Sequence, residues 1–409
     1  MKEKAVATVV ALVMGCLAVL VFAEFAWLAS GFLREKRVVA GRGAVEESVN
    51  GLYWNRPLGG VTGARASIPL SGAALASHAY QGGLEHVLGD DILGRGFLIR
   101  LKNEVYFRLF DVAITNFGIV LGKGNSIYGS NFLSEYCLDR NGPGKIDDLV
   151  ARLDRFQARC RRDGKGFCLV VTPSKASVCP ESIPGEWLRK FDPRPRFIDQ
   201  FRDAADKSGL TFVDGPRFSQ ELKARTRFPL FPRGGIHWGW FLSNRTTDQV
   251  IGTLWGPGPG APFLVERSAR VDHNPIGEDC DMVNLLNALS RWRYAVYASD
   301  IVPLPHSPWG GKRVAIVGGS FCNKMYEALG QARIFSSLEF YFYYHRFCVV
   351  YAAGKSQKLD GLPDAAHIYG NDVIILELNE EALGAPQHIL AFLDDLAAQP
   401  AAESVPKGR

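Results

Sequence analysis

The chain has 409 residues, of which 47% are hydrophobic, 11% aromatic and 22% charged. That is an ordinary globular composition, which excludes disorder, collagen and coiled coil as descriptions of the whole. The formal net charge of +5 is mild and lends no support to nucleic-acid binding.

The apolar content is uneven. Residues 5–23 form an uncharged run, apolar but for Thr8, behind Lys2 and Lys4, close to the roughly 20 residues needed to cross the hydrocarbon core. Phe22, Phe25 and Trp27 suit a membrane interface, so residues 1–32 are expected to be an uncleaved signal anchor, one transmembrane helix. A cleaved signal and a lipoprotein signal at Val13-Met14-Gly15-Cys16 are the alternatives. Arg34, Lys36, Arg37 and Arg42 follow the run, which leaves its orientation open on charge alone. Of the eight cysteines, Cys137, Cys160, Cys168, Cys179, Cys280, Cys322 and Cys348 lie beyond the anchor. None forms a C-x-x-C pair or a zinc-type spacing. An odd number predicts at least one free thiol in an exported chain.

Residues 33–95, rich in Gly, Ala and Ser, read as a juxtamembrane connector. Residues 97–110 mix apolar and basic side chains in helical fashion, and 119–125 read as a strand ending in a turn. Ile146, Leu149, Val150, Leu153 and Phe156 recur at helical spacing. Phe167-Cys168-Leu169-Val170-Val171 is a continuous apolar run, expected as a strand buried on both faces and ended by Pro173. Further short strands are predicted at 210–213, 314–317, 348–351 and 373–376. Helices are predicted at 196–207, 238–251, 280–289, 323–329 and 385–398. Strands alternating with helices imply an α/β domain with a mostly parallel sheet covered on both faces. That domain is expected to span 96–398, with 399–409 a C-terminal tail.

Ligands bind at the carboxyl ends of strands in such sheets. There Val317-Gly318-Gly319-Ser320-Phe321 places a serine on a turn between a strand and a helix, an arrangement that exposes Oγ and aims helix-terminal N–H groups at it. By itself the pattern also fits a simple turn or helix cap. His237, in Gly234-Gly235-Ile236-His237-Trp238, is one candidate base and His273 another.

Five segments, in order, resemble the alginate O-acetyltransferase family of the AlgJ/AlgX type. Gly122-Lys123-Gly124-Asn125-Ser126-Ile127-Tyr128 is similar to its "GKDGWLF" entry segment. Val171-Thr172-Pro173-Ser174-Lys175 is similar to its "PxK" strand end. Gly235-Ile236-His237-Trp238 matches "DxHW" and Gly318-Gly319-Ser320-Phe321 matches "GDSF", each lacking the aspartate. Asp372 to Glu380 looks like the late "DVVxxExNE" strand. The resemblance spans about 97–398. It implies an SGNH-hydrolase-like three-layer sandwich, with Ser320 as nucleophile and His237 as general base. The family's third residue falls on Gly235. Asp214 is therefore the expected substitute, with Asp272 and Glu377 as others; a dyad or an inactive site are the remaining readings. Gly319, Tyr326 and Lys175 are expected at the oxyanion or substrate. The resemblance further implies transfer of acetyl to an exopolysaccharide hydroxyl, in the periplasm or outside the cell, by a domain tethered to the inner membrane. No cofactor is implied, because a membrane-bound O-acyltransferase partner would supply the acetyl donor. A polysaccharide-binding scaffold and a carbohydrate esterase are the alternatives.

Overall fold

A computed structural model of the chain describes residues 58–59, 95–115, 118–138, 144–255, 264–289, 292–304, 309–352 and 354–399. The expected anchor, most of the connector and all but the first residue of the tail lie outside them. Among the described residues no helix is long and apolar enough to cross a membrane. All seven described cysteines are free thiols.

The chain divides into two compact units, Met1–Thr115 with Val283–Arg291, and Asn116–Met282 with Trp292–Arg409. In the first unit, α1 (Arg95–Phe110) is held by Asn103, whose Nδ2 donates to the Leu286 carbonyl at 2.8 Å. Arg100 Nη1 donates to Asn287 Oδ1 at 3.1 Å.

The second unit is built on a sheet of seven strands. In chain order its larger elements are β1 (Ile119–Leu121), β2 (Ile127–Gly129), α2 (Gly144–Arg162), β3 (Gly166–Thr172), α3 (Phe197–Ser208), β4 (Phe212–Asp214) and α4 (Trp240–Trp255). There follow β5 (Glu266–Asp272), β6 (Val296–Ile301), β7 (Arg313–Gly318), α5 (Cys322–Ala332), β8 (Ser337–Phe342), β9 (Phe347–Ala352), β10 (Lys355–Lys358), β11 (Val373–Asn379) and α6 (Gln387–Ala398). The sheet order is β10-β9-β8-β7-β11-β3-β4. From β8 to β4 every pairing is parallel, while β9 and β10 form an antiparallel edge.

Side-chain alternation divides the central strands between two cores. Leu169, Val171, Ala315, Val317, Ile374 and Leu376 pack with α2, α3 and α6. Cys168, Val170, Val314, Ile316, Val373 and Ile375 pack with α4 and α5 on the opposite face. The apolar runs that read as strands are thus the middle layer of three. Helix α3 ends at Gly209, whose φ of 80° supplies the left-handed turn. β8 was not predicted, because Glu339 interrupts its apolar pattern; that carboxylate is held by Tyr341 Oη and Asn371 Nδ2. The predicted helix at 280–289 is shorter, a 3₁₀ turn Gly277–Cys280 followed by a helix Asp281–Leu285.

The chain steps outward from β3 to β4 on one side and from β7 to β8 on the other, with β11 between them. The resulting crevice lies at the carboxyl ends of β7, β11 and β3, where such sheets bind ligands. Because β7 carries the Ser320 turn, its packing is a foundation of the site. Ile316 is fully buried in β7, and Ile316→Ala is expected to destabilise the fold by about 2–5 kcal/mol. Denaturant unfolding should show a lowered midpoint at unchanged slope.

Candidate active site

Strand β7 runs into Gly318-Gly319-Ser320, and α5 begins two residues after the serine. The amides of Cys322 and Asn323 bond back to the carbonyls of Gly319 and Ser320. Gly318 is demanded by space. A Cβ there would lie 2.6 Å from Cys322 Sγ and 2.8 Å from Glu377 Cβ. The turn leaves Ser320 partly exposed at the crevice.

His237 enters from the loop ahead of α4. Lys175 shapes that loop from below. Its Nζ donates to the carbonyls of Pro232, Arg233 and Gly235 at 2.6, 2.8 and 3.0 Å. Burial pushes the Lys175 ammonium down to about 7, and three carbonyl acceptors matching its three N–H donors offset that cost. His237 Nε2 lies 2.8 Å from Ser320 Oγ.

The third member is Asp281. Its Oδ2 lies 2.5 Å from His237 Nδ1. Its Oδ1 accepts the amide N–H groups of Ile236 and Met282 at 3.1 and 2.6 Å. An aspartate accepting Nδ1–H leaves Nε2 as the acceptor of the serine proton, the tautomer that general-base action requires. Ser320, His237 and Asp281 thus form one continuous hydrogen-bonded row.

The row joins three separate segments, and one side chain ties them together. Lys324, 4% exposed on α5, donates through Nζ to the Trp238 carbonyl and to Asp279 Oδ1, both at 2.8 Å. Trp238 adjoins the histidine and Asp279 lies two residues before Asp281. Asn323 Nδ2 adds a bond to Glu278 Oε1 at 2.6 Å.

Gly235 explains why the carboxylate comes from so far along the chain. A Cβ at 235 would lie 2.4 Å from the Glu278 carbonyl oxygen and 3.0 Å from that of Asp279. An aspartate cannot occupy 235 while the 278–281 segment packs against it. The glycine is what admits the segment that delivers Asp281.

The structure corrects several sequence expectations. Asp214 makes no bond to His237: its carboxylate takes a bidentate pair from Arg202, at 2.7 and 3.0 Å, and caps the helix Gly215–Lys223. Asp272 instead accepts the amides of His273 and Asn274, and His273 is exposed. Glu377 lies beneath the serine turn, not beside the histidine. Gly319 lines the cleft beside Ser320 as expected, but its N–H is given to Glu377 Oε2 at 2.7 Å and is no open oxyanion donor. Tyr326 points the other way along α5, where its ring packs on Phe340 and its hydroxyl pairs with Ser356. Lys175 is buried under the histidine loop rather than at a ligand. Asp281 was missed because it sits 44 positions from His237 in sequence, inside an acidic run that resembles an ordinary helix start.

Ser320 opens on a cleft of about 670 Å³, whose walls include Tyr343, Arg346, Asn379, Glu381 and His388. Tyr343 and Tyr344 both have positive φ, 46° and 63°. This uncommon conformation for aromatic residues lays the Tyr343 ring 3.2 Å from where a Cβ on Gly319 would be. Burial lowers the pKa of His388. Among the described residues the amides of Ser320 and Phe321 have no protein acceptor, so both are free to donate at the head of α5.

No protein-family profile matches the chain, and no curated protein matches it. Among solved structures it is similar to the O-acetyltransferase domain of Pseudomonas putida AlgJ, at 18% identity and TM-score 0.43, over 68% of this chain and 99% of that one. It is also similar to Pseudomonas aeruginosa AlgX, at 14% identity and TM-score 0.39, over 64% of this chain and 62% of that one. Bacillus cereus PatB1 with a sulfonyl adduct aligns at 9% identity and TM-score 0.38, over 61% and 95%.

If Lys324 ties the three segments, its loss should strand Asp279 as a buried unpaired charge. Lys324→Met is expected to cost about 3–5 kcal/mol, and Asp279→Asn in the same chain should return a substantial part of it. Unfolding of the two single variants and the double checks this, and simple additivity would contradict it.

Proposed function

We propose that the chain is an O-acetyltransferase that carries acetyl on Ser320 and passes it to a hydroxyl of an exopolysaccharide. The observation that carries this reading is His237 bonded on one side to Asp281 and on the other to Ser320. His237 Nε2 takes the Ser320 proton as Oγ attacks the acetyl carbonyl. The amides of Ser320 and Phe321, at the positive end of α5, face the oxygen that becomes an oxyanion. The donor's leaving group departs with the proton from His237. In the second half the acceptor hydroxyl gives its proton to His237 and attacks acetyl-Ser320, and Oγ is reprotonated as it leaves. Asp281 holds the ring orientation and stabilises the imidazolium in both halves.

The choice of acetyl and of a glycan acceptor draws support from the order of the five motif-like segments. Residues 1–32 would tether the domain at the outer face of the inner membrane, beside a membrane-bound O-acyltransferase that presents the acetyl donor. An esterase would use the same three residues with water as acceptor.

Incubating the full chain with an activated acetyl ester and a glycan acceptor should give acetyl-Ser320 and acetylated glycan, both read by mass spectrometry. Hydrolysis without transfer would favour the esterase, and Ser320→Ala at wild-type rate would contradict both. Asp281→Asn should lower turnover by about 10²–10⁴-fold. Asp214→Asn should leave turnover near wild type and act only on stability.

A further inference from the structure

Glu377 is 1% exposed in the middle of the sheet, and among the described residues no lysine or arginine pairs with it. Every polar group bonded to its carboxylate is a donor, and His388 Nε2 lies 3.3 Å from its main-chain carbonyl. Thr172 Oγ1 donates to Oε1 at 2.5 Å, Gly319 N–H donates to Oε2 at 2.7 Å, and Cys322 Sγ lies 3.6 Å from Oε2. Asn379 Nδ2 donates to Thr172 Oγ1 at 3.1 Å, which turns the threonine's own proton toward Glu377. Such a ring of donors suits an ionised carboxylate. A buried charge without a cation is costly, and an apolar side chain would fill the same space without that cost.

The carboxylate touches the residue immediately before Ser320. Gly318 is shaped to admit it, since a Cβ there would come within 2.9 Å of Oε2. We infer that Glu377 is a positioning residue for the nucleophile: by capturing the Gly319 amide it fixes the serine turn and leaves the Ser320 and Phe321 amides as the oxyanion donors. Its role is acceptance of a hydrogen bond, exerted through the backbone and not through contact with substrate. The inference rests on the acyl-transfer reading of Ser320.

The test is the rate at which phenylmethanesulfonyl fluoride sulfonylates Ser320 in the full chain, read by intact mass, with melting temperature measured in parallel. Oγ bonds to sulfur, fluoride leaves, and His237 takes the hydroxyl proton and releases it to solvent. Glu377→Leu orphans the Gly319 amide and is expected to react about 100-fold more slowly. Glu377→Gln retains a carbonyl acceptor and should recover to within about tenfold of wild type. Thr172→Val, which keeps the shape of the site and unpins one carboxylate oxygen, should slow the reaction by about threefold to tenfold with little change in melting temperature.

A folded Glu377→Leu reacting at the wild-type rate would overturn the proposal. So would Glu377→Gln as slow as the leucine variant, which would make charge and not acceptance the operative property. Should Glu377→Leu fail to fold, Thr172→Val decides, and a wild-type rate there overturns the proposal. A wild-type chain inert at Ser320 while other serines react would overturn the acyl-transfer reading, and the positioning role with it.

Discussion

A buried ammonium on α5 ties the segments of the site together. Lys324 reaches from α5 to the Trp238 carbonyl and to the Asp279 carboxylate, and so touches the neighbours of all three members of the hydrogen-bonded row. Serine, histidine and aspartate lie on separate segments, and no local turn could hold them to the tolerance proton transfer needs. A charge-assisted pair away from water is strong and directional. It is also unforgiving, because removing either partner leaves the other charged and unsolvated. Lys324 thus couples the helix that follows Ser320 to the segments that carry His237 and Asp281.

Glycines do the complementary work by making room. Gly235 lets the 278–281 backbone approach to a distance no side chain would allow, and with that backbone comes Asp281. Gly318 in the same way lets the Glu377 carboxylate come up under the serine turn. Where the resembling family has aspartates beside the histidine and the serine, this chain has glycine and a carboxylate delivered from elsewhere. Position 235 can hold a carboxylate or admit the segment that carries one, but not both.

The sheet was largely legible because strands buried on both faces write themselves as unbroken apolar runs: Phe167–Val171, Val314–Val317 and Val373–Leu376 all became central strands. The edge was not. Lys355–Lys358 is a fully exposed strand with no apolar pattern, and Glu339 hides β8. In the site, Ser320 and His237 were readable because each stands at the glycine-marked junction of regular elements. Asp281 was not, since its selection is a matter of tertiary packing against Gly235. Asp214 is the converse case, a carboxylate well placed in sequence whose charge is already matched by Arg202. Tyr326 and Tyr343 show the same limit, because which of two nearby tyrosines faces the cleft is set by the direction of α5 and by the left-handed turn after β8.

Asp281 is the carboxylate that His237 Nδ1 meets, at 2.5 Å. The most direct measurement is the far-downfield proton resonance of the His237 Nδ1–H in chain carrying ¹⁵N-labelled histidine. This resonance should be present in the wild type, lost or moved strongly upfield in Asp281→Asn, and unchanged in Asp214→Asn. Its persistence in Asp281→Asn, or its loss in Asp214→Asn, would rule out Asp281 as the partner of His237.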